Sequence, residues 1–145
     1  MVLKDVSCDL ETVRRRVKLV EGTPLSIVNA NAAIAHDAMK CGARGFSGVF
    51  TNFHTDLYKW LLEAGPRHPQ LADELAIFLS LAANAEGLGY PKNAKIHHQR
   101  LGTFDSPFSR VRPEDVLEKH WALSVILDQI SQGAQSWRQK IRNAE

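Results

Sequence analysis

The sequence predicts an α/β fold: about three βα units in residues 1–65, followed by an all-helical region over residues 66–145. Two observations carry the prediction. As far as Gly65-Pro66, short apolar runs alternate with amphipathic helical patterns, the alternation that builds right-handed βαβ units and a parallel sheet. From about His68 onward the strand signal disappears and only helical spacing is left.

Met1-Val2-Leu3 reads as a short strand ending at Lys4. Asp9 then stands where a helix N-cap belongs, ahead of Leu10, Val13, Val17 and Val20, whose steps of three and four keep one face dry. Gly22 and Pro24 stop that helix. Leu25-Ser26-Ile27-Val28 is a second β-type run, and Asn29 or Asn31 can cap a helix over Ala32–Cys41. After the turn Gly42-Ala43-Arg44-Gly45, the run Phe46–Phe50 is a third short strand. Leu57, Trp60, Leu61 and Ala64 mark the next helix.

In the second region, Leu71, Leu75, Phe78 and Ala82 give one helix, and Pro91 opens another that ends at Leu101-Gly102. Thr103–Val111 reads as an extended connector. Pro113-Glu114-Asp115 is a helix start, with two carboxylates on the positive end of the dipole. Val116, His120, Leu123, Leu127, Ile130, Ala134, Trp137 and Ile141 follow at heptad spacing. This pattern serves either a coiled-coil seam or a long amphipathic helix along its own domain. His120 and Ala134 are poor seam residues and Gly133 weakens the helix, which favours the second.

The composition excludes several classes. With 44% apolar and 23% charged residues, the 145-residue chain can bury a core and is not intrinsically disordered. Eighteen basic against sixteen acidic side chains give a net charge of +2, no case for a nucleic-acid partner. No apolar run has the length of a membrane span, and Met1–Asp5 lacks the order of a signal peptide. Two cysteines, Cys8 and Cys41, exclude a disulfide scaffold, fit a reducing, cytoplasmic setting, and read as small packing residues. The adjacent His97 and His98 diverge on a helix and read as a surface pair. Arg14-Arg15-Arg16 and Lys18 fall between the apolar positions of their helix and read as its solvated face. No metal or cofactor motif is present: HExxH, CxxC and glycine-rich phosphate loops are all missing.

Lys4 is the residue with chemical content. It ends an apolar strand ahead of a short polar loop, and in parallel α/β arrays ligands bind at the carboxyl ends of strands. A lysine held there among apolar neighbours is desolvated, which favours the neutral amine that attacks carbonyls.

The segment Lys4-Asp5-Val6-Ser7-Cys8-Asp9 resembles the lysine motif K-[DE]-x-[ST]-G-[DN] of the dihydrodipicolinate synthase/N-acetylneuraminate lyase family, the class I Schiff-base aldolases. Gly42–Asn52 resembles that family's G-A-x-G-x-I-S-x-x-x-N segment, Tyr90–Lys95 its N-P-x-P-x-K stretch, and Arg110 falls near its tail arginine. The likeness covers almost the whole chain but corresponds only to the family's C-terminal half.

The resemblance implies strands six to eight of a (β/α)8 barrel with a helical C-terminal extension. It implies that Lys4 condenses with pyruvate or a related 2-oxo acid for aldol addition, cleavage or dehydration. Ser47 and Gly48 would line the site floor, and Asn29 or Ala30 would face substrate. It further implies a homo-oligomer, or association through exposed half-barrel edges. Cys8 stands in place of the motif's glycine, and Ser47-Gly48 in place of I-S. The family's carboxylate-gripping G-x-x-G-E-[ST] segment and its proton-relaying tyrosine have no counterpart in these residues, so the expectation is a fragment with negligible turnover alone. The alternative function is a non-catalytic helical interaction or oligomerisation module.

Overall fold

The computed structural model describes residues 1–145, of which 61% are helical. Regular strand is confined to β1 (Val2–Asp5) and β2 (Ser26–Asn29). The expected α/β class with a partial (β/α)8 barrel is therefore corrected: the protein is mostly helical. The decisive difference lies at the third apolar run. Phe46 makes one parallel bridge to Asn29, and then the chain turns, with Thr51 N–H donating to the Gly48 carbonyl at 3.2 Å and Asn52 N–H to Val49 at 3.0 Å. Phe46–Phe50, of which Phe50 alone is fully buried, is the approach to a helix, which apolarity alone does not distinguish from a strand.

Two compact units divide the chain, Met1–Ala83 and Asn84–Glu145. The first runs β1, α1 (Leu10–Leu19), β2, a 3-10 turn at Ala32–Ile34, α2 (Ala35–Lys40), α3 (Thr51–Glu63), a second 3-10 turn at Gly65–Arg67, and α4 (Pro69–Ala82). Asp9 caps α1, its carboxylate accepting from Thr12 N–H at 2.8 Å, which satisfies one of the helix's open donors. Asn31 rather than Asn29 caps the next turn, accepting from Ala33 N–H at 2.9 Å, and the expected Ala32–Cys41 helix is split into a 3-10 turn and the six-residue α2.

β1 and β2 pair in parallel, Lys4 opposite Val28 and Asp5 opposite Asn29. Strand alternation sends Ile27, Asn29 and Asp5 to one face, where all three are buried. Ile27 packs there with Val13 of α1, Ala38 of α2 and Ala43. Val2 and Lys4 lie on the other face and are exposed. Phe50, Phe53, Leu57 and Leu61 continue the core along α3, joined by Leu75 and Leu79 of α4.

The second unit holds α5 (Lys92–Arg100), α6 (Val116–Lys119) and α7 (Leu123–Ala144). Asp115 caps α6, accepting from Leu117 N–H at 2.8 Å. The single helix expected from residue 113 to 141 is interrupted, since His120 leaves helical geometry at φ −120°, ψ 85°. Of the eight heptad positions, all but His120 are buried, so the seam already packs within this chain rather than standing free for a partner. Gly89 sits at φ +100°, where a Cβ would lie 2.7 Å from Val116, so both the conformation and the close approach require glycine. No helix in either unit is long and apolar enough to cross a membrane.

Candidate functional site

The polar loop after β1 is built around Asp5. Its carboxylate accepts from Ser7 N–H at 2.9 Å and from Ser7 Oγ at 2.6 Å, and it forms an ion pair with Arg16 of α1. Burial works against its ionisation, but the Ser7 hydrogen bonds and the Arg16 guanidinium outweigh it and hold the carboxyl below the usual range. Arg16 is thus no part of a purely solvated face. Cys8 follows at φ +58°, the only non-glycine residue in the left-handed region. Its position is the one where the lysine motif has glycine. Cys8 is exposed, which corrects its reading as a packing residue, and Cys41 accepts from Arg14 Nε at 3.2 Å.

Lys4, Asn29, Ser47 and Gly48 reach one end of the parallel segments. Ala30 N–H donates to the Asp5 carbonyl at 3.0 Å, and Ser47 N–H to the Asn29 carbonyl at 2.8 Å. A Cβ on Gly48 would collide with the Phe46 ring and lie 2.8 Å from the Ala30 carbonyl oxygen, so glycine lets these two loops close. The side chains divide between the faces. Lys4 is exposed and makes no ion pair, so the dry amine expected from the sequence is not found in this chain. Asn29 is buried on the helix side. Its amide donates to the Asn31 carbonyl at 2.6 Å and accepts from Asn31 N–H at 3.1 Å, so it braces the loop.

A second group of polar side chains escaped the sequence reading. His36 and Lys40 stand one turn apart on α2, and both reach Asp73 of α4, with His36 Nε2 3.0 Å and Lys40 Nζ 2.7 Å from Oδ1. These contacts, Lys40 first and His36 next, lower the Asp73 pKa. Beside them is a cavity of about 330 Å³ lined by His36, Lys40, Tyr58, Leu61, Ala76 and Ile77 among others. Tyr58 is only 3% exposed, and its hydroxyl makes no hydrogen bond. Burial pushes the phenol pKa up and keeps it protonated. His36 Nδ1 is likewise buried without a partner. The i, i+4 spacing of His36 and Lys40 is visible in the sequence, but their common partner lies 33 residues beyond Lys40. In the second unit, His97 is buried and only His98 is partly exposed, correcting the surface-pair reading. Nowhere do three histidine, cysteine or carboxylate side chains converge as metal ligands.

No family model matches the chain, and neither the curated proteins nor the solved structures contain a match to it.

Proposed function

We propose that this chain carries the nucleophilic lysine of a Schiff-base lyase acting on pyruvate or a related 2-oxo acid, with Lys4 as that lysine. The observation that carries the reading is the parallel register that sets Lys4 opposite Val28 and Asp5 opposite Asn29, itself opposite Phe46, so that Lys4, Asn29–Ala30 and Ser47–Gly48 all lie within two residues of the carboxyl ends of three parallel segments. Ligands of parallel arrays bind at such ends. The left-handed backbone at Cys8 adds to it, because the resembled lysine motif has glycine there.

In the proposed reaction the neutral Lys4 amine attacks the ketone carbon and forms a C–N bond. The resulting carbinolamine takes a proton from solvent on its hydroxyl and loses water to leave a protonated imine. The iminium group then draws electrons from the carbon next to its C=N carbon and acidifies that position. Loss of a proton from that carbon gives an enamine able to add to an aldehyde, and the reverse sequence cleaves the aldol. Lys4 makes no ion pair with a carboxylate. Asp5, its neighbour in sequence, is turned to the other face and engaged by Ser7 and Arg16. Exposure of the amine admits the ketone but gives it none of the acceleration that desolvation supplies, so slow imine formation and negligible turnover by these residues are expected. A cytoplasmic setting fits the two free cysteines.

Incubation with pyruvate and borohydride, followed by peptide mass spectrometry, tests the reading. Reductive trapping should label Lys4 in preference to the other lysines and disappear in Lys4→Arg. Equal labelling of Lys4 and surface lysines such as Lys59 would remove the basis for the assignment.

A further inference from the structure

Between α5 and α6 the chain runs as a segment, Asp105–Glu114, that no main-chain hydrogen bond joins to the rest of its unit. Nor does apolar burial hold it. Phe108 is 67% exposed and Val111 72%, and along the segment only Ser109 is fully buried. Its attachment comes from side chains of α5. Gln99 Nε2 donates to the Asp105 carbonyl at 3.2 Å and Lys95 Nζ to the Phe108 carbonyl at 2.6 Å. Lys92 Nζ donates to the carbonyls of Pro113 at 3.2 Å and Glu114 at 2.5 Å. Residues 92, 95 and 99 form one stripe of the helix, and their partners follow in reverse order, so the segment runs antiparallel along α5. Arg112 adds a longer contact, Nε to the Tyr90 carbonyl at 3.4 Å, and Lys119 an ion pair with Glu114 at 3.9 Å. On the α5 side the segment is preceded by Gly102, at φ +72° with open space about its Cα, and on the other side the Asp115 cap and the buried Val116 fix it to α6.

We propose that Asp105–Glu114 is a strap that opens as a unit while the three helices stay folded, and that the charges of Lys92 and Lys95 set how often it opens. A hydrogen bond from an ammonium is stronger than one from a neutral amide, so the two lysines carry most of the hold and Gln99 the lesser part. Opening breaks these few contacts and uncovers little apolar surface, because Phe108 and Val111 already face solvent. Its cost is therefore well below that of unfolding the unit. Any change that removes the positive charge of either lysine shifts the strap toward the open form. The strap owes nothing to the Schiff-base chemistry of Lys4.

The initial rate of trypsin cleavage after Arg110, followed by mass spectrometry on the full chain, measures the open form. In the closed strap Ser109, next to the bond to be cut, is 3% exposed and the Phe108 carbonyl is held by Lys95, so the segment cannot enter a protease cleft as it stands. A local opening exposes little surface, so this rate should hardly change at low urea concentrations. The double variant Lys92→Met, Lys95→Met keeps the apolar stems and should be cut at least about fivefold faster, the scale of losing charge-assisted hydrogen bonds that are partly solvated. Its helical circular dichroism and its cleavage after Arg138 of α7 should stay as they are. A change below about twofold after Arg110, or an equal rise after Arg138, would overturn the proposal. So would cleavage of the unaltered chain that climbs with urea as steeply as global unfolding, a result that stands even if the double variant folds poorly.

Discussion

At the scale of single residues, Cys8 shows how a loop's left-handed backbone is taken up by a residue poorly suited to it. A Cβ in the left-handed region meets the following carbonyl, at a cost of about 1–2 kcal/mol. Glycine avoids that clash but loses more freedom on folding, an opposing effect of about 0.4–1 kcal/mol. Cys8 is exposed, and its Sγ reaches only the Val6 carbonyl at 3.7 Å, so little packing is lost with the side chain. Cys8→Gly is therefore expected to stabilise the protein by up to about 1 kcal/mol. Urea unfolding of the two proteins measures this, and a destabilised glycine variant would show that the thiol is held by more than its loop. Asn29 illustrates the opposite situation. Its side chain is fully occupied with Asn31, so its contribution to any ligand site is to brace the loop carrying Ala30.

At the scale of elements, local capping and apolar spacing determine where helices form, and packing determines how long they run. Asp9 and Asp115 cap the helices their positions announce. The heptad series is interrupted at His120, yet Leu123, Leu127, Ile130 and Ala134 remain on the buried face of α7. Leu127 is fully buried, so its truncation removes both transfer energy and neighbouring contacts. Leu127→Ala should lower stability by about 2–5 kcal/mol without changing the oligomeric state. Calorimetry and sedimentation read the two effects separately. A change in sedimentation with an unaltered melting temperature would restore the oligomerisation seam.

For the molecule as a whole, acid sensitivity follows from the Asp5 hub linking the β1 loop to α1. Hydrogen bonds and the Arg16 ion pair lower the Asp5 pKa in the folded state below its unfolded value. The unfolded chain thus binds the proton more readily, and stability rises with pH across this window. The contribution is complete above the unfolded carboxyl value of about 4 and is lost as pH falls through the lower folded value. Asp5→Asn should therefore flatten the fall in stability on acidification and cost most at neutral pH, where it leaves Arg16 unpaired. Melting temperatures of both proteins measured from neutral to strongly acidic pH check this. Parallel curves would mean that other carboxylates dominate.

The alternation of apolar and polar residues was enough to specify β1, β2, α1, α3 and α4 to within a few positions, because burial of one face is a local periodic demand. The same information could not decide Phe46–Phe50. A short apolar run is equally satisfied by a sheet or by a buried turn, and only the packing of Phe50 and Phe53 in the core settles which. Nor could spacing reveal that Lys4 is open to solvent, since desolvation depends on what covers a residue from elsewhere in the chain. The grouping of His36, Tyr58 and Asp73 was hidden for the same reason. Local order writes the elements, while long-range packing decides which side chains share a cavity, which polar atoms stay unpaired, and which faces remain open.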